Sequence, residues 1–140
     1  MSFIVIEGLD GAGKSTQLAM LTNFLKKNNK NIEHIHFPTM NSPVFGDLIA
    51  RFLRGEFGGL NDVNPYLVAL LFAGDRYNLS DKISNWIKNN KIVINDRYVY
   101  SNIGFQCAKM NTKEDRNKLF DWILDLEYNY FKIPKPNLSI

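Results

Sequence analysis

Gly8-Leu9-Asp10-Gly11-Ala12-Gly13-Lys14-Ser15-Thr16 stands between the apolar run Phe3-Ile4-Val5-Ile6 and a stretch of helical periodicity. Downstream, Leu18, Leu21 and Leu25 recur at helical spacing, with Met20 and Phe24 on a neighbouring face. Strand, glycine loop and helix in that order give the spacing G-x-x-x-x-G-K-[ST] a physical meaning. Glycines let the backbone curl so that successive N–H groups face inward, and the new helix adds its positive N-terminal end. The product is a cradle for phosphate oxygens. In such a cradle Lys14 is expected to reach the outer phosphates, and Ser15 to offer its hydroxyl to Mg²⁺.

Composition sets the bounds. With 140 residues, 45% apolar and 22% charged, residues 1–140 read as a single domain able to bury a real core. A net charge of +3 suits anionic small molecules, without the concentrated basic stripe of a nucleic-acid binder. Cys107 stands alone, so it cannot bridge internally; a reducing compartment and a packing role are expected. No charged, apolar leader opens the chain, and no segment approaches the ~20 apolar residues of a membrane span. The expectation is a cytoplasmic protein with small-molecule partners, no nucleic acid and no membrane.

Taken in order, the first helix runs out in Lys26-Lys27-Asn28-Asn29-Lys30-Asn31, cations and a good terminator at a helix C-terminus. Ile32 to Phe37 alternates as a strand and is closed by Pro38, with His34 and His36 on one face. Two histidines so placed suit a metal, but no third ligand lies nearby in sequence. Ser42-Pro43 predicts a helix start, Ser at the cap and Pro first, with Gly55 as the stop. Asp62 to Asn64 before Pro65 opens a long helix to about Asn89. Ile92-Val93-Ile94 reads as a buried strand delivering Asp96-Arg97-Tyr98. Helical stretches over about 101–109 and 112–131 follow, the second opened by Thr112 and Glu114. After Pro134 and Pro136, Leu138-Ser139-Ile140 reads as the start of a fourth strand, beside Phe3–Ile6.

Alternating strands and helices predict an α/β fold, a parallel sheet with helices on both faces. Ligands in such sheets gather beyond the carboxyl ends of the strands. Three such ends carry polar chemistry: the glycine loop, Phe37-Pro38-Thr39 and Asp96-Arg97. Asp96 is placed to orient Mg²⁺ or its waters, and Arg97 to bind phosphate bidentately. A helix cap beside a surface arginine fits the same positions. Phe72 and Arg76, four apart, share a helix face. They read either as a core aromatic with a solvated cation or as a stacking platform and donor for a nucleobase.

These pieces together resemble thymidylate kinase, a P-loop nucleoside monophosphate kinase that moves the γ-phosphoryl of ATP to thymidine monophosphate. The resemblance runs from Phe3 to Ile140 and rests on Glu7 to Thr16, Phe37-Pro38, Leu71-Phe72-Ala73-Gly74-Asp75-Arg76-Tyr77 and Asp96-Arg97-Tyr98-Val99-Tyr100-Ser101-Asn102. It implies a P-loop NTPase fold with ATP bound along Gly8–Thr16 and Mg²⁺ held by Ser15 and Asp96. Lys14, Arg97, Asp96 and Asp10 would be the catalytic residues. Asp10 is similar to the carboxylate on the acceptor's 3′-hydroxyl, Phe72 to the ring stacked on thymine, and Arg76 to the donor facing its O4. Arg97 matches the arginine on the acceptor phosphate. Asn102 resembles the amide at the base edge, Phe105 the aromatic crowding the sugar 2′ position, and Phe37 belongs to the same acceptor set. A homodimer is implied through the long helices.

Departures from the pattern are Met40 where many relatives have arginine, Gly11 where one branch has a catalytic arginine, and Asn137 where Asp is usual. Against this pattern the chain ends before the lid, the last strands and the C-terminal helices, so these 140 residues alone are expected to be inactive. Two rivals stay open. One is a kinase of the same fold acting on another nucleotide or a deoxynucleoside; the other is a non-catalytic P-loop binder.

Overall fold

The computed structural model describes residues 2–140. They form two compact units. One comprises the chain up to Phe37, Leu79–Tyr98 and Pro134–Ile140; the other comprises Pro38–Asn78 and Val99–Ile133.

The first unit is built on a four-stranded parallel sheet of β1 (Ser2–Ile6), β2 (Ile32–His36), β3 (Ile92–Asp96) and β4 (Leu138–Ser139), in the order β2-β3-β1-β4. The fold is therefore α/β, with the fourth strand beside the first as its apolar run suggests. Helix α1 (Lys14–Lys27) turns Leu18 onto Ile6 and Ile94, and Leu21, Leu25 and Ile92 close around them. Burying each large aliphatic side chain contributes roughly 1.5–3 kcal/mol. Met20 and Phe24, on the neighbouring face of α1, remain more than half exposed. Asn137 completes the edge of the sheet: its backbone N–H donates to Phe3 O, and its side-chain Oδ1 accepts from Phe3 N–H, each at 2.8 Å. The amide at this departure from the family pattern thus serves as an extra rung of the ladder. Tyr98 stands edge-on to Phe3, ring centres 5.3 Å apart, with its hydroxyl donating to Pro134 O.

The second unit is helical: α2 (Phe45–Leu53), the first part of α3 (Pro65–Lys88), α4 (Val99–Cys107) and α5 (Lys113–Leu124). Asn64 Oδ1 accepts from Tyr66 N–H at the start of α3, and Thr112 Oγ1 caps α5 through Asp115 N–H. Ile49, Phe52, Val68, Ala73, Leu119 and Ile123 are buried in this unit. Tyr66 and Trp122 meet edge to face at 5.0 Å.

Two boundaries differ from the sequence expectation. Helix α2 starts at Phe45, not at Ser42-Pro43. Phe45 N–H bonds back to Pro43 O at 2.7 Å, and Val44 takes φ 62 and ψ −67, a γ-turn of the rare, strained kind. Ser42 does not cap the helix, because its hydroxyl donates to Asp75 at 2.6 Å. Asp75 is fully buried and also accepts from the Thr39 N–H, at 2.7 Å, and from the Thr39 hydroxyl. The tertiary carboxylate outcompetes the local cap. The second boundary is at Leu124, where α5 gives way to a π-helical turn over Asp125–Tyr130, rather than continuing as α-helix to Phe131.

No helix among the described residues is long and apolar enough to cross a membrane.

Candidate functional site

In the first unit, Gly8 to Thr16 forms the link from β1 into α1 that its spacing predicts. Gly13 takes φ 87 at the N-cap of α1, a left-handed conformation that costs a glycine little. No side chain caps that helix and no acid stands in its first turn, a helix start suited to an anion. Gly8, at φ 141, lets the Lys14 stem lie close; a Cβ there would come within 3.4 Å of it. The Lys14 ammonium folds back onto Leu9 O at 2.7 Å.

The end of β3 supplies the opposite wall. Successive strand residues point to opposite faces, so Asp96 and Arg97 would diverge if the strand continued. Arg97 instead adopts φ 67, leaves the strand direction, and lines the same cleft as Asp96. Non-glycine residues in that region are strained, and such strain collects at functional sites. The cleft has a volume of about 320 Å³ and is lined by Asp10, Lys14, Ser15, His36, Asp96 and Arg97 with the loop backbone. Arg97 Nη2 donates to Asp10 Oδ1 at 2.5 Å. Asp96 is 6% exposed; its Oδ2 accepts from His36 Nδ1 at 2.8 Å, while Oδ1 is buried without a partner among the described residues. A carboxylate can only accept, so His36 carries its proton on Nδ1 in this contact.

The sequence reading sets His36 beside His34, and the structure pairs it with Asp96. The signal lies in strand register: β2 and β3 run parallel with His36 opposite Asp96. No group of three or more metal-ligating side chains occurs among the described residues. His34 has its pKa lowered, chiefly by partial burial, which outweighs the opposing pull of Asp96. Phe37 is 1% exposed, its ring 5.8 Å from that of Tyr98.

The second unit carries the other expected residues. Phe72 is half-buried on α3, and Phe105 on α4 is exposed. Asn102 is buried; its Nδ2 donates to Ala69 O at 3.0 Å, and its Oδ1 is buried without a partner among the described residues. Arg76 is 2% exposed and gripped by Glu127, Nε to Oε1 and Nη2 to Oε2, the latter at 3.0 Å. Glu127 is a residue that sequence reasoning did not single out. It lies in what reads as a continuous amphipathic helix.

The sequence model of the family described as thymidylate kinase matches residues 6–140. The chain belongs to the thymidylate kinase family. It is 41% identical to a probable thymidylate kinase of Thermococcus onnurineus, over 99% of this chain and 64% of that protein. It is 32% identical to the thymidylate kinase of Mycobacterium tuberculosis, over 98% of this chain and 63% of that one. Among solved structures, thymidylate kinase from Candida albicans superposes with a TM-score of 0.76 at 30% identity, over 99% of this chain and 60% of that chain. The chain thus spans somewhat under two thirds of these relatives' length.

Proposed function

We propose that the protein transfers the γ-phosphoryl of ATP to thymidine monophosphate, giving thymidine diphosphate, in a Mg²⁺-dependent reaction. The observation that carries this reading is the convergence of Lys14, Ser15, Asp96, Arg97 and Asp10 on one cleft beyond the ends of β1 and β3. Lys14 and the loop N–H groups suit the donor phosphates, and Arg97 suits the acceptor phosphate. Asp10, beside Arg97, is the acceptor's sugar-hydroxyl partner. The unpartnered, buried Oδ1 of Asp96 and the hydroxyl of Ser15 are a fitting donor pair for Mg²⁺ or its waters. Bound there, the ion would neutralise charge on the transferring group. The remaining work is positioning, which alone lowers the barrier by bringing donor and acceptor into line.

Selection of the base falls to Phe72, Arg76, Asn102 and Phe105. The orphaned Oδ1 of Asn102 is an acceptor in want of a donor, which the ring N3–H of thymine would supply. The same reading makes the protein cytoplasmic and a homodimer, and sedimentation of the purified protein tests the dimer.

The test is formation of thymidine diphosphate from ATP, Mg²⁺ and thymidine monophosphate by protein that includes any C-terminal part beyond Ile140, alongside calorimetric binding of each nucleotide. Lys14→Ala is expected to abolish transfer while leaving thymidine monophosphate affinity within about threefold. Undiminished transfer by Lys14→Ala, or failure of the parent to bind either nucleotide, overturns the proposal.

A further inference from the structure

Arg76 and Glu127 form the most deeply buried ion pair among the described residues, with side chains 3% and 0% exposed. Such a pair contributes little net stability compared with apolar side chains of the same volume, because both charges must leave water. Its distinctive property is geometric. A bidentate carboxylate fixes both the plane and the rotation of a guanidinium, which a single contact cannot do.

Glu127 is presented in an unusual way. It lies within the π-helical turn Asp125–Tyr130, where Phe131 N–H reaches back five residues to Leu126 O at 2.8 Å. Ile133 N–H then closes on Glu127 O at 3.1 Å. Widening a helix by one residue changes the direction of the side chains beyond it, and such turns are frequent at functional sites. The regular α-helix expected from the sequence would aim residue 127 differently. On α3, Arg76 follows Phe72 by one helical turn, and Asn102 bonds to Ala69 of that same helix.

We infer that Glu127 is a positioning residue for acceptor specificity: it holds the Arg76 guanidinium in the plane needed to donate to a pyrimidine's exocyclic oxygen. This rests on the reading of Arg76 as the donor to the acceptor base. A guanidinium fixed in this way favours the 4-oxo group of thymine or uracil and opposes the 4-amino group of cytosine, donor against donor. With Gln at 127, an amide N–H₂ would face the guanidinium in place of one carboxylate oxygen, and the plane would be released.

The experiment measures binding of thymidine monophosphate, deoxycytidine monophosphate and ATP to the parent, Glu127→Gln, Arg76→Ala and the double variant. Expected for Glu127→Gln is a loss of about tenfold or more in thymidine monophosphate affinity, with ATP within about twofold. The preference for thymidine over deoxycytidine monophosphate should shrink, a ratio that general loosening of the fold would leave alone. The double variant should bind no more weakly than Arg76→Ala. If Arg76→Ala loses affinity and Glu127→Gln keeps both affinity and preference, the positioning role is overturned while the reading of Arg76 stands. If Arg76→Ala binds like the parent, that reading fails and this inference with it. Should a single variant lose its far-UV circular dichroism, the apolar pair Arg76→Met with Glu127→Leu restores the packing. That pair should fold and lack the preference; parent-like preference in it overturns the proposal.

Discussion

Arg97 Nη2 lies 2.5 Å from Asp10 Oδ1, joining the end of β3 to the glycine loop across 87 residues of sequence. Asp10 is 93% exposed at its side chain and Arg97 is 10% exposed, so the pair is a surface contact on one side only. Solvent-exposed pairs of this kind contribute little to stability, about 0–1 kcal/mol. On the proposed function its consequence is orientation: Asp10 aims the buried Arg97 toward the acceptor phosphate. Asp10→Asn should leave the urea midpoint nearly unchanged yet weaken thymidine monophosphate binding by about 1.5–3 kcal/mol, the range for a hydrogen bond to a charged group. Calorimetry on the folded variant measures this. A large drop in stability with acceptor affinity intact would mean the pair is a structural clasp.

Gly74 is in the middle of α3, where alanine ordinarily gains about 1 kcal/mol over glycine. Here a Cβ would stand 2.3 Å from the Phe45 ring, which the γ-turn at Val44 carries against the helix. The ring must move or the helix must bend. Gly74→Ala is therefore expected to destabilise by about 1–3 kcal/mol in denaturant unfolding. A stabilised variant would show that Phe45 yields freely.

Asn95 is completely buried, opposite Val5 in the sheet register, and both atoms of its amide lack a partner among the described residues. Orphaned polar groups cost about 1–3 kcal/mol, and an apolar side chain of similar shape removes that cost. Asn95→Val should raise the stability of the folded state by about 1–2 kcal/mol on that ground. Equal or lower stability would point to a buried water satisfying the amide.

For His34 the sign follows from burial. Its pKa lies below the ordinary 6.5, with desolvation the largest cause and Asp96 the opposing one. As pH falls through 6.5 the unfolded chain takes up the proton before the folded one does. The folded state is thus relatively weakened on the acid side. Titration by proton NMR should give a His34 midpoint under 6.5, and Asp96→Asn should lower it further. A midpoint above 6.5 in the parent would contradict this balance.

Much of the architecture was legible locally. The glycine spacing between Ile6 and Lys14, the leucines of α1, the Asn64-Pro65 and Thr112 helix starts and the apolar run of β3 are short-range signals. Each acts within a turn or two of backbone. Tertiary competition explains where that reading stops short. Ser42 is a good cap by its own chemistry, but buried Asp75 offers its hydroxyl a charged acceptor. The helix accordingly begins at Phe45.

By itself the sequence determined which residues are proposed for phosphate chemistry: Lys14, Ser15, Asp96 and Arg97 follow from motif spacing and from the ends of apolar strands. Only the tertiary structure decided their partners. His36 meets Asp96 because β2 and β3 run parallel in one register. Arg97 meets Asp10 because a left-handed residue turns it out of the strand. Arg76 meets Glu127 through a π-turn that no periodicity announces. The physical reason is common to all three. Hydrophobic period and turn chemistry act over a few residues, whereas a hydrogen bond between distant side chains depends on strand register and helix packing, which the whole chain sets together.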